Sequence, residues 1–238
     1  MMQPVYYDLH IHTALSPCAD DDMTPNDIVG MALLNGLDLI AVTDHNSLAN
    51  TRSVIMAAEN KELIVLPGVE VSTAEEVHVI CLFCSLDYAI SFEAELSSFY
   101  STMENRVDIF GNQLVIDESD RITGKVERML IAPTAISFDD LYHLTQKYSG
   151  AFIPAHVDRD SFSVLSNLGF LPPHLSIKTI EVSPGGIEKG FDTQNADLFI
   201  KNKMVISSDA HHLWSISEKS HFLMLPEKTA KAAVDFLR

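Results

Sequence analysis

The chain has 238 residues, a length that fits one α/β barrel-sized domain or at most two small domains. Acidic residues outnumber basic ones by 33 to 16, and the net charge of −17 makes polymeric nucleic acid an unlikely substrate, since its phosphates would be repelled. No apolar run approaches the roughly 18 residues of a membrane span, and no signal peptide is evident, so we expect a cytoplasmic protein with no membrane partner.

The first half of the chain alternates apolar, strand-like runs with segments of helical spacing. Leu9 and Ile11 alternate with polar residues in the first run, and Thr24-Pro25 is typical of a helix start. The predicted strands are residues 5–11, 37–43, 63–69 and 76–83, and the predicted helices are residues 24–35 and 46–60. This β-α-β-α-β-β order favours parallel strands joined by crossover helices.

The middle of the chain departs from this alternation. Residues 87–110 have apolar positions at helical spacing and predict one helix. Two short apolar runs within residues 113–129 flank a polar stretch and predict a β-hairpin. We interpret residues 108–132 as a small inserted hairpin or lid, and as the best candidate for substrate selection.

Regular alternation resumes in the second half, which predicts a strand ending at His156 and further strands at residues 179–183 and 204–208. Helices are predicted at residues 138–148, 192–202 and 227–237. No long linker, low-complexity tract or internal repeat interrupts the chain, so residues 1–238 are expected to form one domain.

Histidine and carboxylate residues recur where the strand-like runs end. His10 and His12 lie on one face of the first strand because side chains alternate along a strand. Later runs end in Thr43-Asp44-His45, in Glu70, in His156, and in Ser208-Asp209-Ala210-His211. A single His-x-His is weak evidence, but structural histidines have no reason to collect at five strand ends. The pattern therefore predicts a metal site.

The residue types also limit the metal and the chemistry. Imidazole and carboxylate ligands suit Zn²⁺, Mn²⁺ or Fe²⁺. The three cysteines are an odd number and form no disulfide framework; Cys81 and Cys84 are interpreted as core residues, and Cys18 as a candidate reactive thiol beside the site. Closely spaced cations activate water and neutralise a phosphate ester, although amide hydrolysis follows equally well from metals alone.

These motifs, taken in order, resemble the polymerase and histidinol phosphatase (PHP) family from about residue 7 to residue 214. The resemblance implies a distorted (β/α)7 barrel, similar to a TIM barrel, with three metal ions at the carboxyl ends of its strands. It also implies a metal-dependent phosphoesterase in which metal-bound hydroxide attacks a small phosphorylated metabolite or nucleotide. The motifs that carry it are His10-x-His12, Asp20 before Thr24-Pro25, Thr43-Asp44-His45, Gly68-Val69-Glu70, His78, Pro154-Ala155-His156 and Ser208-Asp209-Ala210-His211.

By position in the family pattern, the resemblance implies nine ligands for three divalent ions of Mn, Zn or Fe. One ion is held by His10, His12, Glu70 and Asp209. Glu70 bridges to a second ion, held by His78 and His156, and the third ion takes Asp20, His45 and His211. The loop of Asp20 departs from the usual form, so Asp21 and Asp22 are alternatives to it. Asp44 is expected to orient a histidine rather than to bind metal.

Other residues are candidates for substrate binding and proton transfer. Arg159 is a candidate phosphate clamp because a guanidinium pairs bidentately with phosphate, although a salt bridge with Asp158 or Asp160 is nearly as good an interpretation. Arg106 and Arg128 are weaker candidates, and His211 or a metal-bound water is the candidate general acid.

Two other function classes remain open from the sequence. An amidohydrolase-type C–N hydrolase also uses His-x-His and a late aspartate, but no carbamylated-lysine position is obvious and Glu70 occupies the bridging position. A non-catalytic PHP module has no need to keep nine ligands. The oligomeric state is left open.

Overall fold

The computed structural model describes residues 1–238 and contains ten strands in three sheets. In chain order the strands are β1 (Gln3–Ile11), β2 (Leu39–Val42), β3 (Ile64–Ser72), β4 (His78–Leu82), β5 (Leu114–Ile116), β6 (Ile122–Lys125), β7 (Ala151–Pro154), β8 (Thr179–Val182), β9 (Lys203–Ile206) and β10 (Phe222–Leu225). The six-stranded sheet has the order β10-β1-β2-β3-β4-β7, β8 pairs with β9, and β5 pairs with β6.

Helices fill the connections between these strands. They are α1 (Pro25–Leu34), α2 (Thr51–Ala57), α3 (Leu86–Leu96), α4 (Val107–Phe110), α5 (Phe138–Lys147), α6 (Val164–Asn167), α7 (Pro184–Glu188), α8 (Phe191–Gln194), α9 (Ala196–Lys201) and α10 (Ala230–Leu237), with 3-10 turns at Ser97–Phe99 and Leu213–Ser215. Helix α1 starts as the sequence predicts, because the Thr24 hydroxyl accepts a hydrogen bond from Asp27 N and Pro25 occupies the first turn. None of the helices combines the length and the apolar character needed to cross a bilayer.

Seven strands are linked in a distorted ring. The two-stranded sheet β8-β9 meets the large sheet at both ends of that ring. Val157 N, after β7, donates to Glu181 O on β8. At the other junction Ala210 N donates to His10 O, and His12 N donates to Ala210 O. The ring β1-β2-β3-β4-β7-β8-β9 confirms the predicted α/β, TIM-barrel-like fold and is consistent with seven strands.

Strand β4 runs antiparallel to both β3 and β7, which corrects the expectation of parallel pairing. The turn between Ser72 and His78 is too short for a crossover helix, which needs a dozen or more residues. The reversal places His78 at the start of its strand and opposite Ser72 in the register, at the same end of the barrel as Glu70.

The predicted single helix over residues 87–110 is interrupted, and only α3 and the short α4 are helical. Helix α3 ends at Leu96 and a 3-10 turn follows. The chain then extends, because Met103 O accepts a hydrogen bond from Met129 N and Asn105 N donates to Glu127 O. Pairing with a distant segment overrides the helical spacing of the local sequence.

The predicted hairpin is present as β5 and β6, and two buried asparagines attach it to the loop after β2. The Asn50 amide donates to Leu114 O and accepts from Ile116 N. Asn46 Nδ2 donates to Leu130 O and Ala132 O. Because residues 46–50 have these roles, helix α2 begins at Thr51 and not at residue 46.

The far end of the barrel is closed by helix α10. Its buried face, with Val234 and Leu237, belongs to one apolar cluster with residues of β1, β2, β3, β4, β7 and β9. At its end, Leu237 O accepts a hydrogen bond from Thr179 Oγ1, where β8 begins. This closure leaves the opposite end, where β1, β2 and β9 terminate, for the polar residues of the site.

Candidate metal centre

The barrel brings eight of the nine predicted ligands into contact at one end. They come from β1 and the segment after it, from the loops after β2, β7 and β9, from β3, and from the start of β4. These residues are His10, His12, His45, Glu70, His78, His156, Asp209 and His211. Ligands from distant parts of the sequence meet here because the strand ends that carry them meet at one rim of the barrel.

Glu70 lies at the centre of the cluster, with five imidazoles around its carboxylate. Oε1 lies 2.9 Å from His78 Nδ1 and 3.3 Å from His156 Nε2. It also lies 3.4 Å from His10 Nε2. Oε2 lies 2.9 Å from His45 Nδ1 and 3.4 Å from His12 Nε2. A carboxylate with both oxygens shared among several imidazoles has the arrangement of a bridging ligand.

Asp209 forms the second carboxylate of the cluster. Its Oδ1 lies 3.2 Å from the Nε2 atoms of both His10 and His12, and its Oδ2 accepts a hydrogen bond of 2.7 Å from Arg159 Nη1. Asp209 and His156 both have positive φ, 53° and 30°. Backbone strain of this kind in non-glycine residues concentrates at functional sites.

The close contacts in this cluster fit metal coordination better than hydrogen bonding. His45 Nδ1, Glu70 Oε2 and Asp209 Oδ1 are buried and have no hydrogen-bond partner, although other polar atoms approach them closely. Buried polar atoms without partners are rare and costly unless an ion satisfies them. Ring nitrogens and carboxylate oxygens of the cluster fall into three groups, and the atoms within each group lie within 4.8 Å of one another. The groups are His10–His12–Glu70, His45–Glu70–His78 and His12–His45–His211. The donor set therefore fits divalent cations.

The electrostatic environment keeps the two carboxylates ionised. Burial works to raise the pKa of Glu70, but the charges of His78, His10 and His45 outweigh it and hold this pKa well below its usual range. Burial opposes ionisation of Asp209 too, yet the charge of His10 and a hydrogen bond with His12 hold its pKa well below normal. Neighbouring imidazoles thus favour the ionised form of both carboxylates.

Glu181 is a buried partner of His10 and His156, and the sequence analysis did not identify it. Its Oε2 lies 3.0 Å from His10 Nδ1 and accepts a 3.0 Å hydrogen bond from His156 N. A ring nitrogen held by a carboxylate leaves the other nitrogen free for metal. The signal in the sequence was a single carboxylate inside the apolar strand Thr179–Val182, which is buried throughout.

A second set of buried partners orients His12. His12 Nδ1 lies 2.9 Å from Ser16 Oγ, which donates to Asp44 Oδ1 at 2.7 Å. Asp44 also accepts hydrogen bonds from Thr13 N and Thr13 Oγ1. Asp44 therefore supports a histidine through a serine hydroxyl and does not contact the imidazole.

Asp20 is the predicted ligand that the structure does not bring to the cluster. The main-chain N of Asp20 donates to His211 O. The Oδ2 atom of Asp20 lies 2.6 Å from Nδ1 of His212, the residue that follows His211. The loop presents Cys18 to the cluster, with Sγ 3.1 Å from His211 Nε2. Burial works against ionisation of this thiol, but hydrogen bonds and charge from His211 and His45 lower the pKa of Cys18 to about 6.

Arg159 is the predicted substrate-binding arginine that lies at the site. It lines a cavity of about 130 Å³ together with Ser161, Phe162 and six of the cluster residues. Arg106 pairs with Asp108 on the surface, and Arg128 donates to Asn46 O and lies over the Tyr100 ring. The structure thus brings neither Arg106 nor Arg128 to the cavity, because their guanidinium groups are used in other contacts.

Two exposed aromatic rings stack on histidines, Phe162 on His78 of the cluster and Trp214 on His212, which follows His211 in the chain. Phe162, which has a φ of 55°, stacks on His78 with ring centroids 4.8 Å apart. Trp214 stacks on His212 at 4.4 Å and is 72% exposed. Large exposed aromatic faces beside a polar site are available to bind a planar group.

Comparison with known protein families gives a match to the PHP domain over residues 8–161, more than half of the chain. The matched range begins just before the His-x-His motif and extends past His156 and Arg159. The family model therefore includes most of the cluster described above, and the last two ligands follow it in the chain.

Two relatives that are similar in sequence are named exoribonucleases. A 5'-3' exoribonuclease of Haemophilus influenzae is 32% identical over 79 residues, which are 32% of this chain and 28% of that protein. The 5'-3' exoribonuclease Rnm of Escherichia coli is 33% identical over 95 residues, 37% of this chain and 31% of that protein. The alignments thus span less than a third of either relative.

A solved structure shares the fold over the whole chain. The lesion-specific endonuclease PfuEndoQ of Pyrococcus furiosus has a TM-score of 0.72 and 15% identity, over 99% of this chain and 56% of that one. The expectation that polymeric nucleic acid is an unlikely substrate is wrong in view of these nucleases. Net charge averages over the whole surface and does not describe the histidine-rich end of the barrel.

Proposed function

The chain belongs to the PHP domain family, and from this premise we propose that it is a divalent-metal-dependent phosphodiesterase that cleaves single-stranded RNA. It is a hydrolase of phosphoric ester bonds. The observation that carries the proposal is the Glu70 carboxylate shared by five imidazoles, beside a small cavity that Arg159 lines.

Three cations of Mn, Zn or Fe are proposed for the cluster. His10, His12, Glu70 and Asp209 would hold the first. Glu70, with His78 and His156, would hold the second, and His45 with His211 would hold the third. When bound, such cations act as Lewis acids on a phosphoryl oxygen and lower the pKa of water to near neutrality.

The residues of the chain contribute orientation and charge. Glu181 fixes the ring of His10, and Ser16 fixes that of His12, so that both Nε2 atoms face Glu70 and Asp209. Arg159 Nη1, now on Asp209, offers a guanidinium to a phosphate that enters the cavity.

His211 is proposed as a metal ligand and not as the general acid. Its Nδ1 lies 2.8 Å from Asp209 O and its Nε2 lies 3.1 Å from Cys18 Sγ. With its proton on Nδ1 and donated to Asp209 O, the imidazole presents an unprotonated Nε2, which suits metal binding and has no proton to deliver to a leaving oxygen. Water is the remaining source of that proton.

The shape of the site supports a nucleic-acid substrate. A cavity of about 130 Å³ accommodates a phosphate group, so the sugar and base of a substrate remain outside it. Phe162 lines the cavity and is exposed, and Trp214 offers a second exposed ring on His212; bases stack on aromatic side chains for about 1–3 kcal/mol each. The names of the two relatives indicate RNA and cleavage from the 5' end.

The test is hydrolysis of a single-stranded oligoribonucleotide labelled at its 3' end by chain loaded with Mn²⁺, Zn²⁺ or Fe²⁺. We expect a ladder of shortened labelled products that disappears with chelator and in His12→Ala. Arg106→Ala, which alters a surface ion pair away from the cavity, is the matched control and should retain activity. Release of phosphate from mononucleotides with no cleavage of RNA would contradict the substrate, and no hydrolysis of any ester would contradict the reaction.

A further inference from the structure

The loop after β1 places a sulfur atom beside the group His12–His45–His211, the one group of the cluster that contains no carboxylate. Cys18 Sγ lies 3.1 Å from His211 Nε2. His12, His45 and His211 present ring nitrogens within 4.8 Å of one another. His45 is 6% exposed and its Nδ1 has no hydrogen-bond partner. The group thus combines an accessible thiol with a buried imidazole whose Nδ1 makes no hydrogen bond and lies 2.9 Å from Glu70 Oε2.

No carboxylate of this loop reaches the group. Asp20 is held by His212, and Asp21 Oδ2 accepts a hydrogen bond from Asn112 Nδ2. The main chain fixes this orientation, because Ala19 N donates to Ser16 O and Asp20 N donates to His211 O. The loop therefore offers sulfur and not oxygen to His45 and His211.

We propose that Cys18 is a metal ligand and completes the third position with His45 and His211. Thiolates are soft ligands that favour Zn²⁺ and Fe²⁺, whereas carboxylates favour Mn²⁺ and Mg²⁺. The third position therefore differs in metal preference from the two positions that Glu70 and Asp209 form. The inference rests on the metal dependence in the proposed function and is independent of the substrate.

Substitution with Co²⁺ tests the ligand without any activity measurement. Cobalt bound to a thiolate gives an intense ligand-to-metal absorption in the near ultraviolet that nitrogen and oxygen ligands do not give. We expect this band in the full chain, its loss in Cys18→Ser, and its retention in Cys84→Ser. The Cys84 variant is the matched control because that thiol is partly exposed and packs against the apolar cluster that includes helix α10, not against the histidine cluster. A band that is absent from the full chain, or that persists in Cys18→Ser, overturns the proposal.

Metal counting separates Cys18 from Asp20. Elemental analysis of zinc-loaded chain should show about one equivalent less in Cys18→Ser than in the unsubstituted chain, and no loss in Asp20→Asn. The reverse result, with loss in Asp20→Asn alone, overturns the assignment. Cys18→Asp should restore the equivalent and raise the preference for Mn²⁺ over Zn²⁺ by at least about tenfold, since a carboxylate replaces the thiolate; an unchanged preference contradicts the proposal. None of these readouts depends on RNA cleavage, so a wrong substrate leaves them intact.

Discussion

Replacement of Glu181 by glutamine tests how strongly a buried partner controls the metal ligands. Glu181 is 1% exposed, and its Oε2 serves both His10 Nδ1 and His156 N. Its Oε1 lies 3.2 Å from the same His10 nitrogen. In Glu181→Gln the amide oxygen can take the position of Oε2, but the amide NH₂ then faces the donor on His10.

The expected loss of metal affinity in Glu181→Gln follows from these contacts. The negative charge on the acceptor is lost, and one donor meets another at hydrogen-bond distance. Loss of such a partner typically lowers metal affinity by about 10–100-fold, which is about 1.4–2.8 kcal/mol. Because both original hydrogen bonds can persist to a neutral oxygen, we expect a value near tenfold for glutamine and nearer a hundredfold for Glu181→Ala.

The assay is a competition titration in which a chromogenic chelator and the chain share Zn²⁺, with affinity read from the chelator's absorbance. Glu188→Gln, an exposed glutamate on the neighbouring helix α7, is the matched control and should change nothing. Equal affinity in Glu181→Gln and the unsubstituted chain, with both folded by circular dichroism, would refute the reasoning.

Four further outcomes are expected. Arg159→Ala should lower kcat/KM on RNA by about tenfold, and Arg159→Lys should give an intermediate value. The reason is that an exposed guanidinium supplies part of the roughly 1.5–3 kcal/mol that is typical of hydrogen bonds between charged groups. An effect no larger than that of Arg106→Ala would contradict this role. Chelation should lower Tm by about 5–10 °C in calorimetry if the free metal concentration had been a hundredfold above its Kd. At that concentration bound metal adds about 2.7 kcal/mol to the free energy of unfolding, and chelator removes this contribution. An unchanged Tm would mean that no metal stabilises the fold. Trp214→Ala should weaken RNA binding in fluorescence anisotropy by about tenfold through lost stacking. Phe222→Ala, which removes an exposed ring that packs on Tyr6 of β1, should not, and equal losses would count against a base platform. Burial raises the pKa of Tyr7 from 10.0 to about 12, so Tyr7 in the unfolded chain loses its proton first and the free energy of unfolding falls as pH rises through that window. Tyr7→Phe should flatten this fall in urea titrations, and an unchanged slope would contradict the shift.

The ligand cluster was predictable because of a geometric rule. His12, His45, His156 and Asp209 each follow an apolar run, and the carboxyl ends of parallel strands meet at one rim. Residues far apart in the chain could thus be assigned to one site from the sequence alone. The rule needs only the positions of strand ends, which apolar runs show well.

The same rule fails where a side chain's direction depends on hydrogen bonds. Asp20 and Cys18 are two residues apart in one loop, and the sequence does not show that His212 binds the aspartate. Glu181 looked like an ordinary strand residue because its role appears only when β8 is placed between β7 and β9. The reversal of β4 was missed for a related reason: a strand signature carries no direction, and the short turn before His78 was the available clue.

Net charge misled in a different way. A value of −17 is a sum over the surface, and it weighs an aspartate on a remote helix equally with one at the site. Three divalent cations would offset about six of those charges where substrate binds. Sequence charge therefore predicts solubility better than it predicts the substrate of a metal-lined site.

The two junctions that join β8-β9 to the large sheet have a mechanical consequence. His10 and His12 lie on one side of the junction at Ala210, and Asp209 and His211 lie on the other. A divalent cation held by residues from both sides would add to the hydrogen bonds that already join the two edges, which include Ser208 N to Asp8 Oδ1 and Ile206 N to the Tyr7 hydroxyl. We therefore expect chelator to increase local opening first at this junction, which limited proteolysis with and without added metal would detect.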